Sequence, residues 1–107
     1  MKLTEFTALM DTIKIPSTYY AFETPQDPPY FVYYYPNSYN FGADNRVYQQ
    51  ATGVIIELYT SVRDFSIEKQ IEDVLDASGI FWDKSNRYDS NEELYETSYE
   101  MEILLNE

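Results

Sequence analysis

Two stretches of this chain alternate in polarity with a period of two, and they restrict the fold more than any other feature. From Gly53 onward, Val54, Ile56, Leu58, Thr60 and Val62 fall on one side of an extended backbone. Ile55, Glu57, Tyr59 and Ser61 fall on the other. Near the C-terminus, Tyr95, Thr97, Tyr99, Met101, Ile103 and Leu105 share one side, and Glu96, Ser98, Glu100 and Glu102 the other. Successive side chains of a strand point to opposite faces, so each stretch predicts a half-buried strand. The second carries a row of carboxylates toward water. Leu104 interrupts that row and predicts a contact near the end of the strand.

Two other segments change period. Leu3, Phe6, Leu9, Met10 and Ile13 recur at helical spacing, and Pro16 closes the run because the residue before a proline avoids the α region. A helix over residues 3–14 follows, with one buried stripe. Ile67, Ile71, Val74 and Leu75 form a second stripe, over 67–78. Ser66 is placed as its N-cap, Glu68 lies beside the positive end of the helix dipole, and Gly79 stands where a left-handed cap is easiest.

The remaining segments read as strands and connections. Ser17 to Phe22 is β-prone. Pro25, Pro28 and Pro29 force a turn or open loop over Glu23–Pro29. Tyr30 to Tyr35 is almost wholly aromatic and predicts a strand covered on both faces. Pro36 and Asn37 mark a turn, after which Tyr39 to Phe41 can pair again as a hairpin. Gly42 to Gln50 is polar and turn-rich. Ile80 to Trp82 begins a short strand, and Asp83 to Glu93 reads as a polar loop that pairs again around Tyr88. The order is helix, strands, helix, strands. It predicts a single α+β domain over 1–107: an antiparallel or mixed sheet with two helices on one face.

Composition narrows the function. Nineteen acidic side chains stand against seven basic ones, a net charge of −12. Such an excess of acid in an aromatic-poor chain would mean disorder. Here twelve tyrosines and six phenylalanines provide enough apolar area to fold 107 residues around one core. The result is an acidic surface set with amphipathic rings, which suits an interaction module. Scattered cations argue against tight binding of nucleic acid or an anionic membrane. No signal peptide and no membrane helix are expected. The absence of cysteine fits a cytosolic protein. With histidine absent as well, the commonest general base, nucleophile pairings and zinc ligands are missing. No catalytic residue, cofactor or metal is expected.

Asp83-Lys84-Ser85-Asn86-Arg87-Tyr88-Asp89 places oxygen ligands every two residues, as calcium loops do. It fails because Arg87 occupies a ligand position and no glycine makes the sharp turn. It reads as an exposed connector. Acid pairs such as Glu100 and Glu102 share one strand face and cannot oppose each other across a cleft as a glycosidase requires. The tyrosines exceed what a small core needs, and tyrosine is enriched at interfaces. Tyr33, Tyr35 and Tyr59 are therefore candidate subunit contacts, together with Asp44, Asn45 and Arg46 in the polar loop.

From Ile15 to Leu104 the chain resembles a family of long-tailed bacteriophages and prophages. The resemblance rests on Ile15-Pro16, Tyr19-Tyr20-Ala21-Phe22, Pro29-Tyr30 opening an aromatic strand, and Phe41-Gly42-Ala43-Asp44-Asn45 with Tyr48. It continues through Glu57-Leu58-Tyr59-Thr60, the acidic helix at Ser66-Ile67-Glu68 and the Tyr/Glu-rich last strand. These features look like the tail-terminator, or tail-completion, group that includes the U protein of phage lambda. The resemblance implies an α+β subunit closing into a ring, usually hexameric, located in the virion tail and in the host cytoplasm during assembly. It implies partners in the major tail tube protein and the head–tail connector. Glu96, Glu100 and Glu102 then become candidates for an acidic channel wall that repels passing DNA over about 8–10 Å. The competing expectation is an acidic DNA mimic that blocks a basic site on a host enzyme.

Overall fold

The computed structural model describes residues 1–43 and 46–105, with side chains described over 1–38 and 50–105. Among these residues the elements are α1 (Leu3–Asp11), β1 (Ser17–Tyr19), β2 (Tyr30–Tyr34), β3 (Ser38–Ala43), β4 (Arg46–Thr60), α2 (Phe65–Ala77), β5 (Trp82–Asp89) and β6 (Leu94–Leu105). The strands form one mixed sheet in the order β1-β2-β4-β6-β5, and β3 pairs with β4 off this path. β1 runs parallel to β2, and every other pairing is antiparallel. The expected α+β architecture is present. β4 is the spine: it spans fifteen residues and pairs with β2, β3 and β6 along its length.

Both helices cover the same face. Phe6 and Met10 of α1 and Ile71 and Leu75 of α2 join Phe31 and Tyr33 of β2, Val54, Ile56 and Leu58 of β4, and Tyr99, Met101 and Ile103 of β6 in one buried cluster. The registers explain why these side chains meet. Leu58 lies opposite Phe31, Ile56 opposite Tyr33 and Tyr99, and Val54 opposite Met101. The period-two stretches thus set one continuous apolar face, and each fully buried large side chain contributes about 1.5–3 kcal/mol. Val62 follows the end of β4 and is exposed.

The helix boundaries differ from the expected ones for local reasons. α1 stops at Asp11, where the Thr12 hydroxyl donates to the Leu9 carbonyl at 2.6 Å. Ile13 and Ile15 still reach the core from the turn that follows. The N-cap of α2 is Asp64 and not Ser66. Asp64 Oδ1 accepts from the Ser66 and Ile67 amides at 3.0 and 3.3 Å, and from the Ser66 hydroxyl at 2.7 Å. These bonds, the one from the Ser66 side chain first, hold the Asp64 carboxyl below its ordinary range. Gly79 has φ +70°, the left-handed conformation expected of it.

The largest correction concerns β5. Asp83 to Asp89, read from sequence as a connector, is regular strand paired with β6 from Trp82↔Met101 to Asp89↔Leu94. Its inward side chains meet the core layer through polar groups. Trp82 Nε1 donates to Asp76 Oδ1 at 2.8 Å. Lys84 Nζ bonds Glu68 Oε1 at 3.1 Å and Glu72 Oε2 at 2.9 Å, and Asn86 bonds Thr97 Oγ1 at 2.8 Å. Glu68 is 2% exposed and also receives Arg63 Nε at 3.2 Å. The Tyr99 hydroxyl donates to Glu72 Oε2 at 2.8 Å, and burial followed by that carboxylate raises its pKa. An ionic cluster thus does for β5 what apolar side chains do for β4.

Candidate interaction surface

The face of the sheet opposite the helices is ordered in rows that run from β2 to β5. Tyr30, Tyr59, Glu96 and Arg87 are cross-strand neighbours in one row. Val32, Glu57, Ser98 and Ser85 form the next, and Tyr34, Ile55, Glu100 and Asp83 the third. Tyr30 and Tyr59 stack with ring centroids 5.0 Å apart and planes at 24°. Directly opposed residues on one face are near enough for such contacts, and diagonal ones can still meet through long side chains.

Glu57 and Glu96 are such a diagonal pair. Their carboxyl groups hydrogen-bond to each other, and the Tyr59 hydroxyl donates to Glu57 Oε2 at 3.2 Å. Burial pushes the Glu57 pKa up, with the Glu96 carboxyl adding to it; hydrogen bonds from Tyr34 and Tyr59 act in the opposite sense. Burial and the two glutamates raise the Tyr59 hydroxyl in turn. Arg87 Nε bonds Glu96 Oε2, and this partner raises the Arg87 pKa. This acid pair comes from two different strands, so no sequence spacing announces it. The signal that could have found it is the alternation of β4, which places Glu57 on the same side as Tyr59.

Two shallow grooves flank the Tyr30–Tyr59 stack. One of about 480 Å³ lies under the connection after β1 and is lined by Tyr20, Phe22, Pro25, Val32 and Glu57 together with the stack. The other, about 270 Å³, is bounded by Arg87, Asp89, Glu92, Leu94 and Glu96. A third concavity of about 460 Å³ lies at the far end of this face, with Asp83, Glu100 and Glu102 beside Asn37, Ile55 and Phe81. The surface is therefore a shallow, acidic and aromatic relief suited to contact with another macromolecule. Among the described residues, no group of three or more His, Cys, Asp or Glu side chains is placed to hold a metal ion.

The structure disperses the residues singled out from sequence. Tyr33 is 5% exposed, a core residue set edge-on to Phe6 at 5.9 Å, and offers nothing to a partner. Tyr35 is half-buried against the same core and also meets Phe6 edge-on. Tyr59 lies on the opposite face, half-buried in the stack. Asp44 and Asn45 lie outside the described residues. Arg46 is the first residue of β4 and pairs with Ala43, so the polar segment around it is partly strand. Glu96, expected on a solvated wall, is 6% exposed and bonded to Arg87, while Glu100 and Glu102 are exposed. Among the described residues, the tyrosines most open to a partner are Tyr19, Tyr20 and Tyr88, at 50–69% exposure, and Phe81 is 81% exposed. Tyr20 stands out because its φ of 69° ends β1 and turns its ring outward.

No protein-family model matches the sequence, and no curated protein matches it. No helix among the described residues is long and apolar enough to cross a membrane.

Proposed function

We propose that this chain is a structural subunit of a long-tailed phage or prophage, a tail terminator that caps the tail tube as a ring, usually a hexamer. In this reading it ends tail polymerisation and joins the tail to the head connector. One observation carries the proposal: among the described residues, four of the five exposed rings lie on two unlike flanks of the subunit, the fifth being Phe65 at the start of α2. Tyr19 and Tyr20 lie at the β1 edge, and Phe81 and Tyr88 bracket the β5 edge. A closed ring needs such heterologous contacts, in which one flank of a copy meets the different flank of the next. The acidic relief of Asp83, Glu100 and Glu102 supports the reading from the side of the channel. These carboxylates share a concavity on one face, where they would repel DNA passing through.

The DNA-mimic reading draws less support. Glu68 and Glu96 are buried and Glu57 is half-buried, all three bonded to groups of the chain itself, so they are not displayed as a phosphate-like array. Electron microscopy of particles made without this protein tests the proposal. Overlong tails, or tails lacking heads, are expected; tails of uniform length joined to heads would overturn it.

A further inference from the structure

The edges of the sheet at β1 and at β5 are protected very differently. β1 is three residues long and is followed by the left-handed Tyr20, so it presents a short edge. β5 runs for eight residues without proline or a break in its register, and Lys84 to Tyr88 are all exposed. Natural sheets normally blunt such an edge with prolines, bulges or outward charges, because its unpaired backbone groups template another strand. The cations that could guard it are already engaged within the subunit, Lys84 by Glu68 and Glu72 and Arg87 by Glu96.

We infer that β5 pairs antiparallel with β5 of a second copy of this chain, about a two-fold axis through Ser85. The argument is one of register. A two-fold axis normal to the sheet keeps the helix-covered faces together, so only registers that oppose residues of the same face are allowed. On β5, Asp83, Ser85, Arg87 and Asp89 face the open side, and Trp82, Lys84, Asn86 and Tyr88 the helix side. Centring on Lys84 or Arg87 sets each against its own like charge, and centring on Asn86 opposes Asp83 to Asp89. Centring on Ser85 opposes Asp83 to Arg87 twice, Trp82 to Tyr88 twice and Lys84 to Asn86 twice. Opposite charges and aromatic pairs are the cross-strand combinations that stabilise a sheet. Arg87 holds Glu96 through Nε, which leaves its terminal nitrogens free to reach the second copy's Asp83.

This inference does not rest on the tail-terminator reading. If both hold, the dimer covers one of the two flanks a ring requires, and it is a reserve state that cannot close rings away from a tube. The test uses the whole chain. Sedimentation equilibrium of the wild type should give twice the monomer mass. The exposed substitution Asp83→Lys turns both attractive pairs repulsive; it should weaken association at least about ten-fold and leave the circular dichroism spectrum unchanged. The chain has no cysteine, so Ser85→Cys supplies a single thiol at the axis and should cross-link a dimer on mild oxidation, while Ser61→Cys should not. A wild type that stays monomeric up to the highest concentration at which it remains in solution overturns the inference. So does an oligomer that Asp83→Lys leaves intact and Ser85→Cys fails to cross-link.

Discussion

Two acid clusters lie on opposite faces of the same sheet and solve the same problem by different means. On the helix side, Glu68 is enclosed almost completely and answered by two cations, Arg63 at 3.2 Å and Lys84 at 3.1 Å. On the open side, Glu57 is half-buried and faces a second carboxyl, Glu96, with tyrosine hydroxyls as its donors. With nineteen acids and seven bases, cations cannot serve every buried carboxyl. Where a cation is supplied, the charge is neutralised by pairing. Where none is supplied, the carboxyl holds its proton more tightly, since burial and a like charge both disfavour ionisation. One cluster is thereby an anchor for β5, and the other is a titrating patch on the surface offered to partners.

The largest expected effect tests the anchor. Lys84→Met keeps a long apolar stem against Trp82 but strips Glu68 and Glu72 of their shared cation. Breaking a buried pair from one side costs about 3–5 kcal/mol. The Lys84 side chain is 27% exposed and Arg63 remains, so a loss of about 2–3 kcal/mol is expected from urea denaturation at neutral pH. Burial alone would lower the Lys84 pKa, yet the bonds from Glu72 and Glu68 outweigh it and the net shift is upward. A raised lysine contributes stability fully below its unfolded value and loses it only as pH climbs through the higher folded one. The wild-type anchor should therefore add no slope between pH 5 and 9. An unchanged denaturation midpoint in Lys84→Met would erase the contrast between the two faces.

Glu57→Gln probes the other side and should act in the opposite direction. The folded pKa of Glu57 is raised, so its contribution to stability is complete below the unfolded value. It is lost as pH rises through the folded value, where a carboxylate must sit beside Glu96. An amide of the same shape removes that loss. Wild type and variant should match near pH 4, with the variant gaining about 0.5 kcal/mol by pH 8, the scale of a cross-strand like-charge pair. Parallel urea series at the two pH values measure it. A variant less stable than wild type at pH 8 would mean that Glu57 is ionised and well solvated in the folded chain.

The same contrast explains what the sequence could and could not reveal. β4 and β6 were legible because apolar contacts impose a period of two, and α1 and α2 because they impose a helical one. β5 was legible only at its ends, Trp82 and Tyr88, since its inward positions between them are Lys84 and Asn86, and their partners on α2 and β6 are invisible without the fold. A polar run whose polar groups find buried partners reads as a loop. Glu96 failed for a related reason. Alternation put it correctly on the face away from the helices, but its burial depends on Arg87 and Glu57, brought beside it from β5 and β4. Tyr33 was misjudged by composition, because twelve tyrosines looked too many for one small core. The structure places Tyr33 under α1 and gives Tyr30 and Tyr34 to the open face.

The smallest effect gives the sharpest test of the open-face cluster. Tyr59→Phe preserves the ring stacked on Tyr30 and deletes only the hydroxyl that donates to Glu57 at 3.2 Å. Losing one such bond at a half-buried site should cost about 0.5–1 kcal/mol above the Glu57 midpoint, where the acceptor is ionised. Below pH 4 the cost should shrink, because a protonated Glu57 needs that donor less. The hydroxyl is one of the two groups that hold the Glu57 pKa down, so its removal should move the carboxyl titration to higher pH. Carbon-detected NMR of the glutamate carboxyls reads this directly: the Glu57 midpoint should rise in Tyr59→Phe. A fall in the Glu57 midpoint would mean that the tyrosine stabilises the protonated form, and the assignment of donor and acceptor between the two rows of the sheet would have to be reversed.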